Sequence, residues 1–202
     1  MESKETFFAR LSPILTPSDL LKVELAYLIS KDGHRHQFRK ELDEKGDLLR
    51  YFEHPRRTAL ILIDELDIFE PDQICAHLLH DALEDTHATP ELIEHYFGKE
   101  VIRVVKLVSK IPKEGYYDRL FRFGDERVIL AKLCDRLDNM RSLESAPVEF
   151  QEKQVLDTMK NIYPLCSKQH KLFTNEITYL SKKITILTNK YNAEHINKKT
   201  TS

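Results

Sequence analysis

Residues 74–86 constrain the fold of this chain more than any other stretch, because polar and apolar side chains separate cleanly when the stretch is helical. At about 100° of turn per residue, the apolar side chains cover most of the circumference and would face a core: Cys75, Leu78, Leu79, Ala82 and Leu83. The remaining wedge carries two imidazoles and three carboxylates: His77, His80, Asp81, Glu84 and Asp85. Such groups are rarely buried unless they are paired or bound to a metal. The stretch therefore predicts a helix that packs on one side and carries chemistry on the other.

The rest of the chain predicts further helices. It has five glycines and eight prolines in 202 residues, repeated apolar patterns with a period of about 3.6 residues and little strict alternation. These features predict an all-α protein. Helices are expected from Ser18 and Asp19 to about Gly33, from an N-cap at His54, from Thr89 and over residues 125–143. The polar stretch that follows Lys40 and runs to Asp47 is expected to be a loop.

The expected organisation is a lead-in at residues 1–18, one domain at 19–165, a C-terminal helical extension at 166–197 and a disordered tail at 198–202. The last helix could pack on the core or join a partner chain, so the sequence is compatible with a homo-oligomer as well as with a monomer. Residues 198–202 are expected to lie outside any packed structure.

The overall charge and the cysteines exclude several classes of protein. A formal charge of −2 gives no reason to expect binding to nucleic acid or to membranes, and the longest apolar stretch, residues 59–63, is far too short to span a bilayer. Cys75, Cys134 and Cys166 are far apart and show no CxxC spacing. Reduced thiols in a cytoplasmic protein are the expectation.

Two imidazoles and two carboxylates form a candidate metal set: His54, His80, Asp81 and Asp135. Asp135 lies within the predicted helix over residues 125–143, beside Leu133 and Cys134, where an unpaired carboxylate would be costly. Such a set suits a divalent ion of intermediate hardness, such as Mn²⁺, Fe²⁺ or Zn²⁺. Four protein ligands leave room for water and a phosphate oxygen on a six-coordinate ion, so the set indicates a catalytic site.

Four segments carry a more specific signal: YFEHP at residues 51–55, LLHDALEDT at 78–86, FGKEV at 97–101 and KLCDRLDNMR at 132–141. Together they resemble the hydrolase domain of the RelA/SpoT family, within the HD superfamily of metal-dependent phosphohydrolases. The likeness runs from about residue 27 to about residue 165. The chain length leaves no room for the synthetase and regulatory domains of long members, so the likeness is to the small stand-alone alarmone hydrolases called metazoan SpoT homologs.

The resemblance implies a single HD-domain helical bundle that removes the 3′-pyrophosphate from the nucleotides ppGpp or pppGpp, with Mn²⁺ as the usual ion. It places the metal on His54, His80, Asp81 and Asp135. It gives the attacking water and the proton transfer to Glu84 and Asp85. It implies substrate contacts at Arg39, which would pack on the guanine base, and at Lys40, Asn139 and Ser142. His77 matches no ligand position and is expected at most to form a hydrogen bond to a ligand.

Two alternatives stay open. One is an HD-domain phosphohydrolase that acts on another nucleotide, such as (p)ppApp or the 2′-phosphate of NADPH. His36 and Asp138 depart from the family pattern and bear on base recognition. The other is a metal-free nucleotide sensor, which the retention of all four ligands and of Glu84 and Asp85 disfavours.

Overall fold

The structure, a computed structural model, describes residues 2–42, 45–166 and 171–200, with the backbone alone for residues 194–200. Helices dominate these residues, as predicted, and a two-stranded sheet accompanies them. The elements are α1 (Lys4–Leu11), α2 (Pro17–Gly33), β1 (Phe38–Leu42), β2 (Leu48–Arg50), α3 (Glu53–Leu60), a π-helical turn (Ile61–Glu65), α4 (Pro71–Leu79), α5 (Ala82–Asp85), α6 (Pro90–Phe97), α7 (Lys99–Val108), α8 (Tyr116–Phe123), α9 (Glu126–Arg141), a 3-10 turn (Leu143–Ser145), α10 (Val148–Asp157), a second π-helical turn (Thr158–Ile162), α11 (Tyr163–Cys166) and α12 (Lys171–Thr200).

The chain divides into two compact units. The first comprises Met1–Arg39 and Leu49–Asp135, and the second comprises Lys40–Leu48 and Arg136–Ser202. The division falls within α9. The domain boundaries given above stay predictions.

Helix α4 is the centre of the first unit, where it packs against α2, α3 and α7. Its apolar side chains are fully buried: Ile74, Cys75, Ala76, Leu78 and Leu79. Cys75, Leu78 and Leu79 belong to the core face that the periodicity of residues 74–86 predicts, and Ile74 and Ala76 are buried in addition. Burying a Leu or Ile side chain contributes about 1.5–3 kcal/mol, so this face anchors the neighbouring polar residues.

The segment expected as a lead-in contains helix α1. Ser3 caps it by accepting a hydrogen bond from the Thr6 N–H, and the Thr6 hydroxyl accepts in turn from the Ser3 N–H. Phe7 and Leu11 are fully buried in the first unit. The helix is therefore part of that unit's core.

The loop expected after Lys40 and up to Asp47 is wrong at residues 41 and 42, which belong to β1, and the sequence did not predict the pairing of β1 with β2. Side chains in β1 alternate between exposed and half-buried, as in a strand with one solvated face. Gly46 adopts φ +85° in the connection, a conformation that glycine reaches without steric cost.

The position of His54 also differs from the prediction. Helix α3 begins at Glu53, and Phe52 occupies the N-cap, so His54 lies in the first turn. Pro55 is still accommodated, because the first four N–H groups of a helix have no intrahelical acceptor.

In the second unit, α12 packs against α10 and α11. Phe173, Ile177 and Ile184 of α12 are fully buried. The helix runs to Thr200, into the predicted tail 198–202, and residues 201 and 202 lie outside the described residues. Among the described helices, none combines the length and the apolar character that a bilayer span requires. All three cysteines are buried and keep their thiols, since none forms a disulfide.

We expect Thr89→Ala to lower the free energy of unfolding by about 1 kcal/mol, because the N-cap of α6 would lose its side-chain acceptor. The Thr89 hydroxyl oxygen accepts a hydrogen bond of 3.2 Å from the Leu92 N–H. Urea denaturation measures the change. Thr89→Ser retains the acceptor and serves as the control, and an equal loss in both variants would contradict the capping role.

Candidate metal centre and active site

The helix over residues 74–86 is interrupted where its chemistry lies. Helix α4 ends at Leu79 and α5 begins at Ala82, so the continuous helix expected from the sequence is wrong. Consecutive side chains on a helix diverge by about 100°. Across this break, His80 Nε2 and Asp81 Oδ2 lie 3.1 Å apart. The interruption therefore directs two neighbouring residues to one point.

His54, from the first turn of α3, meets this pair. Its Nε2 atom lies 3.2 Å from His80 Nε2 and 3.5 Å from Asp81 Oδ2. The ligand atoms of His54, His80 and Asp81 all lie within 4.8 Å of one another, so these residues could hold a metal ion.

Asp135 of α9 reaches the same two imidazoles. Its Oδ1 atom lies 3.2 Å from His54 Nε2 and 3.9 Å from His80 Nε2. The structure thus brings together the four residues that the sequence singled out, from α3, the α4–α5 break and α9. We call His54, His80, Asp81 and Asp135 the metal cluster.

The His80 ring is oriented by the backbone of α4. His80 Nδ1 lies 2.8 Å from the carbonyl oxygen of His77, so Nδ1 donates to that oxygen and Nε2 is directed to the cluster. The His77 ring is directed elsewhere, with its Nδ1 2.8 Å from the Gln73 carbonyl oxygen. Burial lowers the pKa of His77 to about 4, so this imidazole is neutral.

The cluster favours positive charge at its centre. Burial acts to lower the pKa of His80, but the charges of Asp81 and Asp135 and the hydrogen bonds to Asp81 and the His77 carbonyl together outweigh it and raise that pKa to about 9. Burial acts to raise the pKa of Asp81, but His80 holds it well below its usual range. Buried carboxylates that retain their charge require a cation among them, which is a proton on the imidazoles or a metal ion.

Lys132 is a functional residue that the sequence analysis missed. It is 2% exposed, and its Nζ donates a 2.6 Å hydrogen bond to Asp135 Oδ2. Burial acts to raise the pKa of Asp135, but Lys132 holds it well below its usual range. The signal available was the i, i+3 spacing of the two residues on one helix.

Tyr51 is a second residue that the sequence analysis missed. Its hydroxyl lies 2.8 Å from Asp81 Oδ2 and 3.3 Å from Asp85 Oδ2, to which it donates. Burial, together with the charge of Asp81, raises its pKa, so the phenol stays protonated. Tyr51 therefore connects the metal cluster to Asp85.

The carboxylates of α5 differ in their surroundings. Glu84 Oε1 accepts a 2.9 Å hydrogen bond from the Lys110 N–H, and burial raises its pKa. Asp85 faces the cluster through Tyr51. One carboxylate thus has an increased affinity for a proton, and the other shares a hydrogen-bond donor with a cluster residue.

The expected substrate contacts fall in both units. In the first unit, the guanidinium of Arg39 lies 5.9 Å from the centre of the Tyr51 ring. In the second unit, Lys40 Nζ lies 4.9 Å from the centre of the Phe150 ring, and the Ser142 hydroxyl lies 3.3 Å from the carbonyl oxygen of Asn139. The substrate roles of Arg39, Lys40, Asn139 and Ser142 stay predictions.

Comparison with known proteins agrees with these features. Residues 33–122 match the HD domain family. Bifunctional (p)ppGpp synthase/hydrolase SpoT of Escherichia coli K12 is 34% identical over 166 residues, covering 75% of this chain and 22% of that protein. Guanosine-3′,5′-bis(diphosphate) 3′-pyrophosphohydrolase of Aquifex aeolicus is 37% identical over 161 residues, with the same coverage. The chain thus spans about a fifth of the length of these relatives.

A solved structure has a similar fold, with a TM-score of 0.68 and 24% sequence identity over 80% of this chain and 94% of that one. Its published description is "A metazoan ortholog of SpoT hydrolyzes ppGpp and plays a role in starvation responses". The family matched and the fold shared both confirm the resemblance found in the sequence. Residues 33–122 thus match the HD domain family, and the chain as a whole is similar to SpoT-type proteins.

Proposed function

We propose that this protein is a metal-dependent (p)ppGpp 3′-pyrophosphohydrolase that acts in the cytoplasm and yields GDP or GTP and pyrophosphate. The observation that carries the proposal is the metal cluster beside Glu84 and Asp85, in a chain whose relatives are named as enzymes of this activity. The four cluster residues are the proposed metal ligands, and Mn²⁺ is the proposed ion.

The cluster suits such an ion because imidazole nitrogen and carboxylate oxygen both bind Mn²⁺, Fe²⁺ and Zn²⁺. When bound, a divalent ion supplies charge that lowers the pKa of a water molecule and neutralises phosphate oxygens. Lys132 and His77 support the ligands: Lys132 balances the charge of Asp135, and the His77 carbonyl fixes the tautomer of His80.

The proposed chemistry requires a proton to move. Water adds to the phosphorus bonded to the ribose 3′-oxygen, the bond between them breaks, and a proton returns to that oxygen. Glu84 is suited to hold the proton between these events, because burial raises its pKa. Asp85 orients the water, and Tyr51 holds Asp85 in place relative to Asp81.

We expect Glu84→Gln to lower kcat for ppGpp about 100-fold in the presence of Mn²⁺, because the amide cannot accept the proton. Asp85→Asn should lower kcat as well, and the KM of either variant should change little. Product-resolved chromatography of pyrophosphate and GDP measures the rates. Glu91→Gln is the control, since Glu91 is exposed on α6.

The same assay separates the alternatives. If phosphate is released from NADPH faster than pyrophosphate from ppGpp, the protein is a 2′-phosphatase and the proposal is wrong. If (p)ppApp is hydrolysed faster than (p)ppGpp, the preferred base is adenine and not guanine. Binding of ppGpp without turnover, unaltered in Glu84→Gln, would indicate a sensor.

A further inference from the structure

A cavity lies in the first unit, between the end of α2 and the start of α3, and none of the cluster residues lines it. Its volume is 580 Å³, within the range of small-molecule sites. Four cationic side chains and two carboxylates line it: Lys31, Arg35, Arg50, Arg56, Asp32 and Glu53. We call it the basic cavity.

Both carboxylates of the basic cavity are already paired. Asp32 forms an ion pair of 3.0 Å with Arg35, and Glu53 pairs with Arg56. Lys31 and Arg50 have no carboxylate within ion-pair distance among the residues that the structure describes. The cavity therefore has an excess of about two positive charges, which matches the charge of a phosphate monoester at neutral pH.

The guanidinium groups that line the basic cavity have N–H donors that the described residues do not use. Arg56 is 4% exposed, and its Nε has no hydrogen-bond partner within the described part of the chain. Arg50 uses Nη1 to donate to the carbonyl oxygen of Arg35, at 2.9 Å. A phosphate offers several strong acceptor oxygens to such donors.

The cavity also has an apolar side. Leu28, which is 45% exposed, and Phe52 contribute to its lining. A phosphate ion alone fills a small part of 580 Å³ and leaves this side uncovered. The combination fits an organic phosphate better than an inorganic one.

One residue that lines the basic cavity, His34, is connected by contacts to the metal cluster. His34 lines the cavity, and its ring stacks on Tyr51 with centres 4.7 Å apart. Its Nδ1 lies 2.8 Å from Gln37 Oε1, and Gln37 Nε2 donates to the carbonyl oxygen of Asp85. His34 thus contacts Tyr51 directly and Asp85 through Gln37.

We propose that the basic cavity binds an organic phosphate monoester, with the phosphate between Lys31 and Arg50 and the organic part against Leu28, and that its occupancy alters catalysis through His34 and Tyr51. The binding stands by itself. The effect on catalysis rests on the proposed function.

Calorimetric titration of the full chain with phenyl phosphate tests the binding. We expect Lys31→Glu/Arg50→Gln to weaken the affinity for phenyl phosphate at least about 10-fold, because the double variant loses two charge-assisted contacts. Lys31→Glu alone, at an exposed position, should weaken it less and keeps the test valid if the double variant unfolds. Asp81→Asn should bind as the parent does.

The outcomes that overturn the binding site are equal affinity in the parent and double variant, or loss of binding in Asp81→Asn, which would place phenyl phosphate at the metal cluster. Inorganic phosphate is the second probe. Binding as tight as that of phenyl phosphate would overturn the organic part of the assignment.

Pyrophosphate release from ppGpp at saturating phenyl phosphate tests the effect on catalysis. We expect kcat to change at least about twofold in the parent and to stay constant in Lys31→Glu/Arg50→Gln. A change in KM alone would indicate competition at the active site and overturn the coupling. A parent with no turnover would refute the proposed function, and the titration would still decide the binding site.

Discussion

Asp81→Asn should lower the rate of pyrophosphate release from ppGpp about 10⁴-fold and abolish retention of Mn²⁺ on dialysis. Asp81 contributes an oxygen that lies 3.1 Å from His80 Nε2 and 3.5 Å from His54 Nε2. It also receives the hydrogen bond of Tyr51. The amide would remove a negative ligand and weaken the contact that positions Asp85, so several kcal/mol of stabilisation should be lost.

The measurement pairs product-resolved rates with elemental analysis of the dialysed protein. Asp118→Asn is the matched control, because Asp118 is exposed on α8. Removal of metal from the parent by a chelator should give the same loss of rate, reversed by Mn²⁺. Retention of the metal in Asp81→Asn with a rate within tenfold of the parent would refute the assigned ligand.

Lys132→Met should lower the free energy of unfolding of the metal-free protein by about 3–5 kcal/mol, because it leaves a buried carboxylate without its principal cation. Lys132 and Asp135 are both nearly inaccessible to solvent and lie within hydrogen-bond distance. Methionine fills a similar volume, so the loss is one of charge. Saturating Mn²⁺ should reduce the difference, because the ion supplies another positive charge to Asp135.

Urea denaturation with and without Mn²⁺ measures both effects, and a double-mutant cycle isolates the pair. Lys132→Met/Asp135→Asn should recover much of the stability lost in Lys132→Met, because neither charge remains. Additive losses would show that Lys132 acts through packing against the Tyr116 ring, 5.5 Å from its Nζ.

The sequence predicted the helical class and the four cluster residues, because apolar periodicity and costly polar residues on a buried helix leave few alternatives. It did not predict the break at His80 and Asp81, since no proline or glycine marks it. The β1–β2 hairpin was missed because its strands are short and largely exposed.

Tyr51 and Lys132 were missed for a different reason. Neither residue type is a usual metal ligand. Lys132 pairs with Asp135 on the same helix, whereas the Tyr51 hydrogen bond forms only when distant segments meet. Tyr51 reaches Asp81 across 30 residues of sequence. A local pattern cannot reveal such a contact, whereas the His80–Asp81 pair stands out because its members are adjacent.

The interruption between α4 and α5 has a thermodynamic consequence. Because His80 and Asp81 are covalent neighbours, they would bind the proposed ion as a bidentate pair, and no loop must close to bring them together. The entropic cost of assembling the four residues then comes from two loop closures. One brings His54, 26 residues before His80, to the pair, and the other brings Asp135 of α9. A partly unfolded chain would therefore retain weak affinity for the proposed ion through His80 and Asp81. The bound ion would then favour refolding that starts at the break between α4 and α5.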